Sequence, residues 1–351
     1  MDDITVLITG AGAPGIKGTL YSLEKNFDSR KIKTIGTDII EDVVGKYLCD
    51  EFYRIQRPST KEYLTQLLSI CEKESVEVLL PQNTAELLVL AEHKKDFENI
   101  GTKIAVSDRQ SIEIANNKYK LMKIANKIGV LTPEFYLVDT FDDLIKYAKE
   151  LGWPEVPIVV KPPISHGMRG LRIIDESIDL KDMFFSEKPT EVYMKMDNFK
   201  NILGSSFPSL LIMEYLPKEE YTVDILNAKN LIVIPRKRDL IKSGITFNGT
   251  IEKNEKIIDY SKKLSKEICL KYAYGFQFKL DKNNMPKLLE ANPRIQGTMV
   301  LATFAGANVI YGAVKHALNE EISEFNIEWG TKIMRYWGGI GINEGAVLGL
   351  L

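Results

Sequence analysis

Gly275-Phe-Gln277-Phe-Lys-Leu-Asp-Lys-Asn-Asn-Met-Pro-Lys-Leu-Leu-Glu290-Ala-Asn292-Pro-Arg294 decides how the rest of the chain is read. Two alternating runs flank Asn283-Asn284, and Asn tolerates the left-handed backbone that a tight hairpin turn needs. A hairpin symmetric about that pair sets Gln277 opposite Glu290. Residues two apart on a strand share a face, so Glu290 and Asn292 project with Gln277. One carboxylate and two amide oxygens on one face are hard donors suited to Mg²⁺, which takes waters and phosphates as its other ligands. Phe276, Phe278 and Leu280 alternate onto the opposite face as core. Asn is a poor strand former and Pro293 ends the ladder just after it, which argues against a merely solvated strand face, although that reading stays open. Arg294, just beyond the strand, is placed to clamp phosphate oxygens.

Working upstream, Ile158–Lys161, Leu210–Tyr215, Thr222–Leu226 and Leu231–Pro235 read as strands of an α+β body that contains this hairpin. Residues 186–207 show little periodicity and read as a loop or mobile insertion. The front of the chain has another texture. Ile4–Thr9, Ile32–Thr37, Val76–Leu80 and Lys103–Ala105 read as strands, alternating with helical patterns at 17–27, 60–74 and 84–96. Such alternation implies a parallel sheet covered by helices. A helical pattern from Ile112 to Ile128, ended by Gly129, links the two parts, and Phe141–Glu150 is a further helix.

The composition sets limits. The 351 residues are 44% hydrophobic and 27% charged, with a net charge of −2. Neither nucleic acid nor an anionic membrane is an expected partner for so balanced a surface. No apolar run reaches the ~18–20 residues that span a bilayer, and the N-terminal residues lack the basic start of a secretory signal. Cys49, Cys71 and Cys269 are scattered without metal-like or redox-like pairing. The expectation is a cytoplasmic protein.

Gly10-Ala-Gly12-Ala-Pro-Gly15 follows the first strand and formally satisfies the dinucleotide fingerprint G-x-G-x-x-G, with Asp38 at the end of the second strand as the ribose acid. Pro14 removes an N–H from the loop that would hold a pyrophosphate. A nicotinamide dehydrogenase is therefore one reading of this segment, and it leaves the second half of the chain unexplained.

Glu290-Ala-Asn292-Pro-Arg294 resembles the E-x-N-P-R motif of the ATP-grasp superfamily, in particular its carbamoyl-phosphate synthase large-subunit-like carboxylate-amine ligases. The resemblance covers nearly the whole chain, with several motifs in the family's order. It implies that Gln277, Glu290 and Asn292 hold Mg²⁺ and that Arg294 stabilises the transferring phosphate. Val159-Val160-Lys161-Pro162 resembles the strand-borne lysine that touches the nucleotide phosphates, and Ser165-His166-Gly167-Met-Arg-Gly170 the glycine loop that closes over them. Lys118 resembles the second phosphate cation, with Lys120 as the alternative. Glu214-Tyr215-Leu216 resembles the hinge whose backbone reads adenine, and Glu220 the acid that binds the ribose. Pro235-Arg236-Lys237-Arg238 offers cations, at least one of which is expected to face phosphate or the acyl substrate. His166 is positioned to contact ligand.

The implied fold is α/β: a parallel Rossmann-like pre-ATP-grasp sheet at 1–110, then an α+β ATP-grasp fold at 111–340 whose mobile lid covers about 130–212. The implied activity is that of an ADP-forming ligase using ATP and Mg²⁺, which makes an acyl phosphate from a small-molecule carboxylate and joins it to an amine. A homodimer is its expected assembly. Rival readings are a single-half carbamoyl-phosphate-forming enzyme, a phosphotransferase that stops at the phosphorylated product, and a non-catalytic nucleotide-binding protein. On sequence alone, Glu290→Ala is expected to abolish turnover and to leave stability unchanged or improved.

Overall fold

Apolar runs alternating with amphipathic stretches fold as the sequence predicts, into a parallel sheet followed by antiparallel ones. The computed structural model describes residues 2–165, 167–186, 192–336 and 338–351. The chain begins with β1 (Ile4–Thr9), α1 (Ile16–Glu24), β2 (Ile32–Asp38), β3 (Glu51–Arg54), α2 (Glu62–Lys73) and β4 (Val78–Leu80). Then come α3 (Leu87–Glu92), α4 (Lys94–Asn99), β5 (Lys103–Ile104), α5 (Arg109–Asn116) and α6 (Lys118–Lys127). The middle holds β6 (Phe135–Thr140), α7 (Phe141–Glu150), β7 (Ile158–Lys161), β8 (Arg172–Ile174), α8 (Leu180–Ser186), β9 (Tyr193–Met194), α9 (Met196–Leu203) and β10 (Ser206–Glu214). It is followed by β11 (Glu220–Asn227), β12 (Leu231–Lys242), β13 (Ile245–Ile251), α10 (Glu255–Ile268), β14 (Tyr272–Leu280) and β15 (Pro286–Asn292). The last elements are α11 (Val300–Phe304), α12 (Val309–Ala317), β16 (Lys332–Met334), β17 (Ile340–Asn343) and β18 (Ala346–Leu350).

These elements form two compact units. The first comprises Met1–Ala115, Tyr221–Gln277 and Ala291–Leu351. Its first sheet has the order β3-β2-β1-β4-β5, with every pairing parallel. Strand alternation sends successive β1 side chains to opposite faces. Val6 and Ile8 pack with Met299, Leu301, Ile310 and Val314, while Leu7 packs with Leu67, Leu87, Phe97 and Ile112. Helices on both faces are what such a doubly apolar strand demands. A second sheet runs β15-β14-β11-β12-β13-β16, and α10 packs on β12.

The second unit comprises Asn116–Glu220 and Phe278–Glu290. Its sheet has the order β6-β10-β7-β8-β9, antiparallel except for the β8–β9 pair. Ile158 and Val160 of β7 face a core with Leu144, Ala148 and Phe199. Val159 faces the other way, toward Met122, Leu211, Met213 and Leu289. Lys161 shares the parity of Val159, so the strand delivers its ammonium to that second face.

Two local expectations change. The continuous periodicity from 112 to 128 is broken at Asn117, which is extended (φ −104°, ψ 102°) and whose side chain accepts the Lys120 N–H as the N-cap of α6. An Asx cap can interrupt a helix that the apolar pattern alone reads as one. The 186–207 segment is not a loop throughout, since α9 buries Met196 and Phe199 in the core of the second unit. Residues 187–191 of that segment, and His166, lie outside the described residues.

Candidate active site

In the second unit, chemistry gathers at the start of α6, the end of β7, Glu220 and Glu290. Lys118 is the first residue of α6, and only 4% of it is exposed. Its ammonium lies 3.6 Å from Glu290 Oε2, and donates to the Ser165 carbonyl at 2.9 Å and to Ser165 Oγ at 3.3 Å. The exposed Lys120 side chain has no such surroundings. Lys161, 8% exposed, ends β7. Burial pushes its pKa down from 10.5 to about 8; the Glu290 charge opposes that shift, Lys118 reinforces it and Glu220 opposes it. Lys161 therefore lies in the fields of Glu290 and Glu220, and Lys118 lies beside Glu290.

The loop after Lys161 is the expected lid. Gly167 and Gly170 both have left-handed backbone, φ 61° and 75°, and a Cβ on Gly170 would sit 2.6 Å from Pro162 Cδ. Neither position accepts an ordinary side chain without strain.

Glu214 ends β10, and its carboxylate is already engaged. Lys287 donates to Glu214 Oε2 at 2.6 Å, and the Glu134 N–H reaches the same oxygen at 3.2 Å. The Glu214 N–H in turn donates to the Glu134 carbonyl at 2.9 Å. The Lys279 ammonium lies 5.5 Å from the Tyr215 ring centroid, and Leu216 is buried. Reciprocal bonds, Lys218 N–H to the Leu280 carbonyl and Leu280 N–H to the Glu219 carbonyl, tie the segment before β11 to the end of β14. Glu220 opens β11.

In the hairpin, Asn284 has φ 62°, as the turn reading requires, and the Asp281 side chain accepts the Asn283 and Met285 N–H groups. Phe276, Phe278 and Leu280 are buried. Along β15 the burial alternation slips, because Leu289 and Glu290 are both half-buried neighbours. Of the proposed magnesium ligands, Glu290 falls in the second unit and Gln277 and Asn292 in the first. All three are half-buried.

In the first unit, Arg294 donates to Thr84 Oγ1 at 3.0 Å and to the Ile295 carbonyl at 2.8 Å. Of the three cations at 236–238, Arg236 is not one left to a ligand. It is fully buried, pairs through two nitrogens with Asp224 at 2.6 and 2.9 Å, and donates to Thr298 Oγ1 at 2.8 Å. A buried guanidinium needs a carboxylate partner, and Asp224 takes both parallel donors. Arg236 thus fixes the turn after Arg294. Arg238 donates to Thr246 Oγ1 and the Gly244 carbonyl.

The glycine turn at 10–15 is used for packing. The Gly12 N–H donates to Asp38 Oδ2 at 2.8 Å and the Ile40 N–H to Oδ1 at 3.0 Å, so the acid of the dinucleotide reading already accepts two backbone N–H groups. A Cβ on Gly15 would lie 2.6 Å from the Gly297 Cα, and one on Gly12 2.8 Å from Val43. These glycines allow close backbone approach.

One residue that sequence reasoning missed is Arg335. It donates to the Pro14 carbonyl at 3.0 Å, and burial and the Arg236 charge lower its pKa. No carboxylate among the described residues pairs with it. Its partner lies 321 positions away, beyond any local signal.

Can these residues hold Mg²⁺? Glu290 is the lone carboxylate of its set and already has Lys118 beside it. No group of three or more His, Cys, Asp or Glu side chains suited to a metal occurs among the described residues. A single carboxylate beside an ammonium is too weakly anionic to hold a free cation, and suits one that arrives with polyphosphate.

Comparison with known proteins agrees in both halves. Residues 206–335 match the family described as ATP-grasp in the biosynthetic pathway with Ter operon, and residues 6–105 the PylC-like N-terminal domain. The carbamoyl phosphate synthase large chain of Caldanaerobacter subterraneus subsp. tengcongensis is 26% identical over 282 residues, 76% of this chain and 24% of that protein. The chain thus spans about a quarter of the length of this curated relative. Among solved structures, N5-carboxyaminoimidazole synthetase from Staphylococcus aureus, complexed with ADP, aligns with a TM-score of 0.68 at 18% identity, covering 93% of this chain and 81% of that one. The biotin carboxylase of Campylobacter jejuni gives 0.66 at 16%, covering 91% and 72%. At these identities the two structures support the fold alone.

Proposed function

We propose that this chain, whose residues 206–335 match an ATP-grasp family, is an ATP- and Mg²⁺-dependent ligase that activates a carboxylate as an acyl phosphate and couples it to an amine. The observation that carries the reading is the pair of nearly buried lysines, Lys118 and Lys161, sharing Glu290. Burying two cations beside so little negative charge is costly unless a polyanion joins them. A nucleotide triphosphate supplies that charge.

In this reading Lys118 and Lys161 bind the phosphates, and the lid backbone at Gly167 and Gly170 closes over them and excludes water. The backbone at Glu214–Leu216 reads the base and Glu220 accepts from the ribose. Gln277, Glu290 and Asn292 hold Mg²⁺, which when bound neutralises phosphate charge and orients the transferred group. Arg294 would stabilise the oxygens that gain charge as the γ-phosphoryl passes to the carboxylate oxygen. The substrate carboxylate is drawn to Arg335, whose charge it would neutralise. The amine then attacks the acyl carbon and phosphate leaves. Positioning and charge neutralisation suffice for this sequence, so no side-chain nucleophile is required.

The test is ADP release by the purified chain with Mg²⁺ and a panel of amino acids and other carboxylates, each with and without amines. Turnover that needs both a carboxylate and an amine is expected. ADP formed with a carboxylate alone, together with a stable phosphorylated product, would replace the ligase by a phosphotransferase.

A further inference from the structure

Lys287 has no place in the scheme above, yet it touches the strand that bears the hinge from the strand that bears the metal carboxylate. It lies on β15, three residues before Glu290, and half-buried, it donates to Glu214 Oε2 at 2.6 Å at the end of β10. Asp281 Oδ2, at 3.8 Å, is its second anion. The same stretch is held by the main chain, since the Leu288 N–H donates to the Leu131 carbonyl at 2.9 Å. The Glu134 N–H also reaches Glu214 Oε2, so one carboxylate oxygen ties β15 to the first turn of the β6 segment and to the hinge together. The pair lines a cavity of about 720 Å³ with Tyr119, Asn126, Glu134 and Tyr147. Tyr119 follows Lys118 directly in α6.

We infer that Lys287 is a positioning residue: through Glu214 it fixes the base-reading hinge and the Glu290 strand in one register. Base recognition and phosphate-metal binding are thereby set as one unit. This rests on the ATP reading above. A charged hydrogen bond of 2.6 Å in a half-buried site resists sliding of one strand against the other, and its partners are fixed at both ends by backbone bonds. An ion pair that only stabilised the surface would be worth little. Here its two ends lead to different parts of one ligand.

The experiment is calorimetric titration of the full chain with a non-hydrolysable ATP analogue and Mg²⁺, and separately with adenosine, for wild type, Lys287→Met, Lys287→Arg, Glu214→Gln and Lys287→Met/Glu214→Gln. Lys287→Met should weaken the Mg²⁺–nucleotide complex by about tenfold or more, the size set by losing a charge-assisted hydrogen bond. Lys287→Arg should recover most of it. Glu214→Gln should match Lys287→Met, and the double variant should be no worse than either, because both remove one interaction. Adenosine binding should fall in step, since the hinge shifts with the strand. Unchanged affinity in Lys287→Met, or additive losses in the double variant, overturns the inference. So does a loss that Lys287→Arg does not recover. If Lys287→Met fails to fold, Glu214→Gln and Lys287→Arg carry the same comparison. Wild type that binds no nucleotide would refute the ATP reading instead, so the two failures are distinguishable.

Discussion

The two glycine-rich turns in this chain do opposite things. At Gly10–Gly15 the glycines let backbone meet backbone: Gly15 rests on Gly297, and Gly12 passes under Val43 and Asp38. At 167–170 they supply left-handed backbone in a loop whose Ser165 carbonyl accepts from the buried Lys118. Only the first matches the dinucleotide fingerprint, while the second stands beside Lys118, whose charge pairs with Glu290. Glycine spacing records where a chain must turn or approach closely. The ligand is recorded by the charges around the turn.

The strongest way to break that contrast is to remove the charge. Glu290→Ala should cut ADP formation on the order of 10²–10³-fold, the usual loss for one electrostatic partner of the transition state. The ion pair with Lys118 changes the stability expected from sequence alone. Without Glu290 two nearly buried lysines lose their anion, so the ligand-free variant should be less stable by roughly 1–3 kcal/mol. Saturating Mg²⁺–nucleotide analogue should return much of that loss. Normal turnover with unchanged thermal unfolding would return the hairpin to a solvated sheet face.

Substituting the glycines separates the two turns directly. Gly15→Ala forces a Cβ to 2.6 Å from the Gly297 backbone, which cannot swing aside as a side chain can. It should cost about 1–3 kcal/mol in denaturant unfolding, as overpacking does, with nucleotide affinity nearly unchanged. Gly170→Ala, at φ 75°, should do the reverse. The φ strain of about 1 kcal/mol and the 2.6 Å approach to the Pro162 ring are both relieved by movement of an exposed loop, so global unfolding barely moves while ADP formation drops several-fold. The same effect from both substitutions would show that the turns do not differ in use. Micromolar NAD binding by wild type would restore the dinucleotide reading.

Much of this was legible in the sequence because it is local or periodic. The β1–α1–β2 alternation and the cap-marked helix Phe141–Glu150 follow from patterns over a few residues. What the sequence hides is pairwise. Lys118 and Lys120 differ by two positions, and only folding shows which is buried beside Glu290. Arg236 reads as a surface cation until Asp224, on the neighbouring strand, takes it. Arg335 and Pro14 have no sequence relation at all. The slip of burial at Leu289–Glu290 is likewise invisible to a strict period of two.

The smallest expected effect, and the most specific to the charged turn, is the pH dependence of nucleotide binding. Lys161 titrates near 8 in the folded chain and near 10.5 when unfolded. Its folded pKa is depressed, so between those values the unfolded chain binds the extra proton, and stability rises with pH across about 8 to 10.5. Binding runs the other way. Phosphate favours the ammonium form, and above pH 8 the ligand-free site holds less of it. Apparent affinity is the intrinsic affinity times the protonated fraction, so raising pH from 7 to 8.5 should weaken binding by about fourfold. The complex must also take up a proton, visible as a binding enthalpy that changes with the ionisation heat of the buffer. Lys161→Met should abolish both the slope and the proton uptake, while Gly15→Ala should leave them as in wild type. Affinity flat from pH 7 to 9 in wild type would mean that Lys161 keeps its proton throughout, or that phosphate does not approach it.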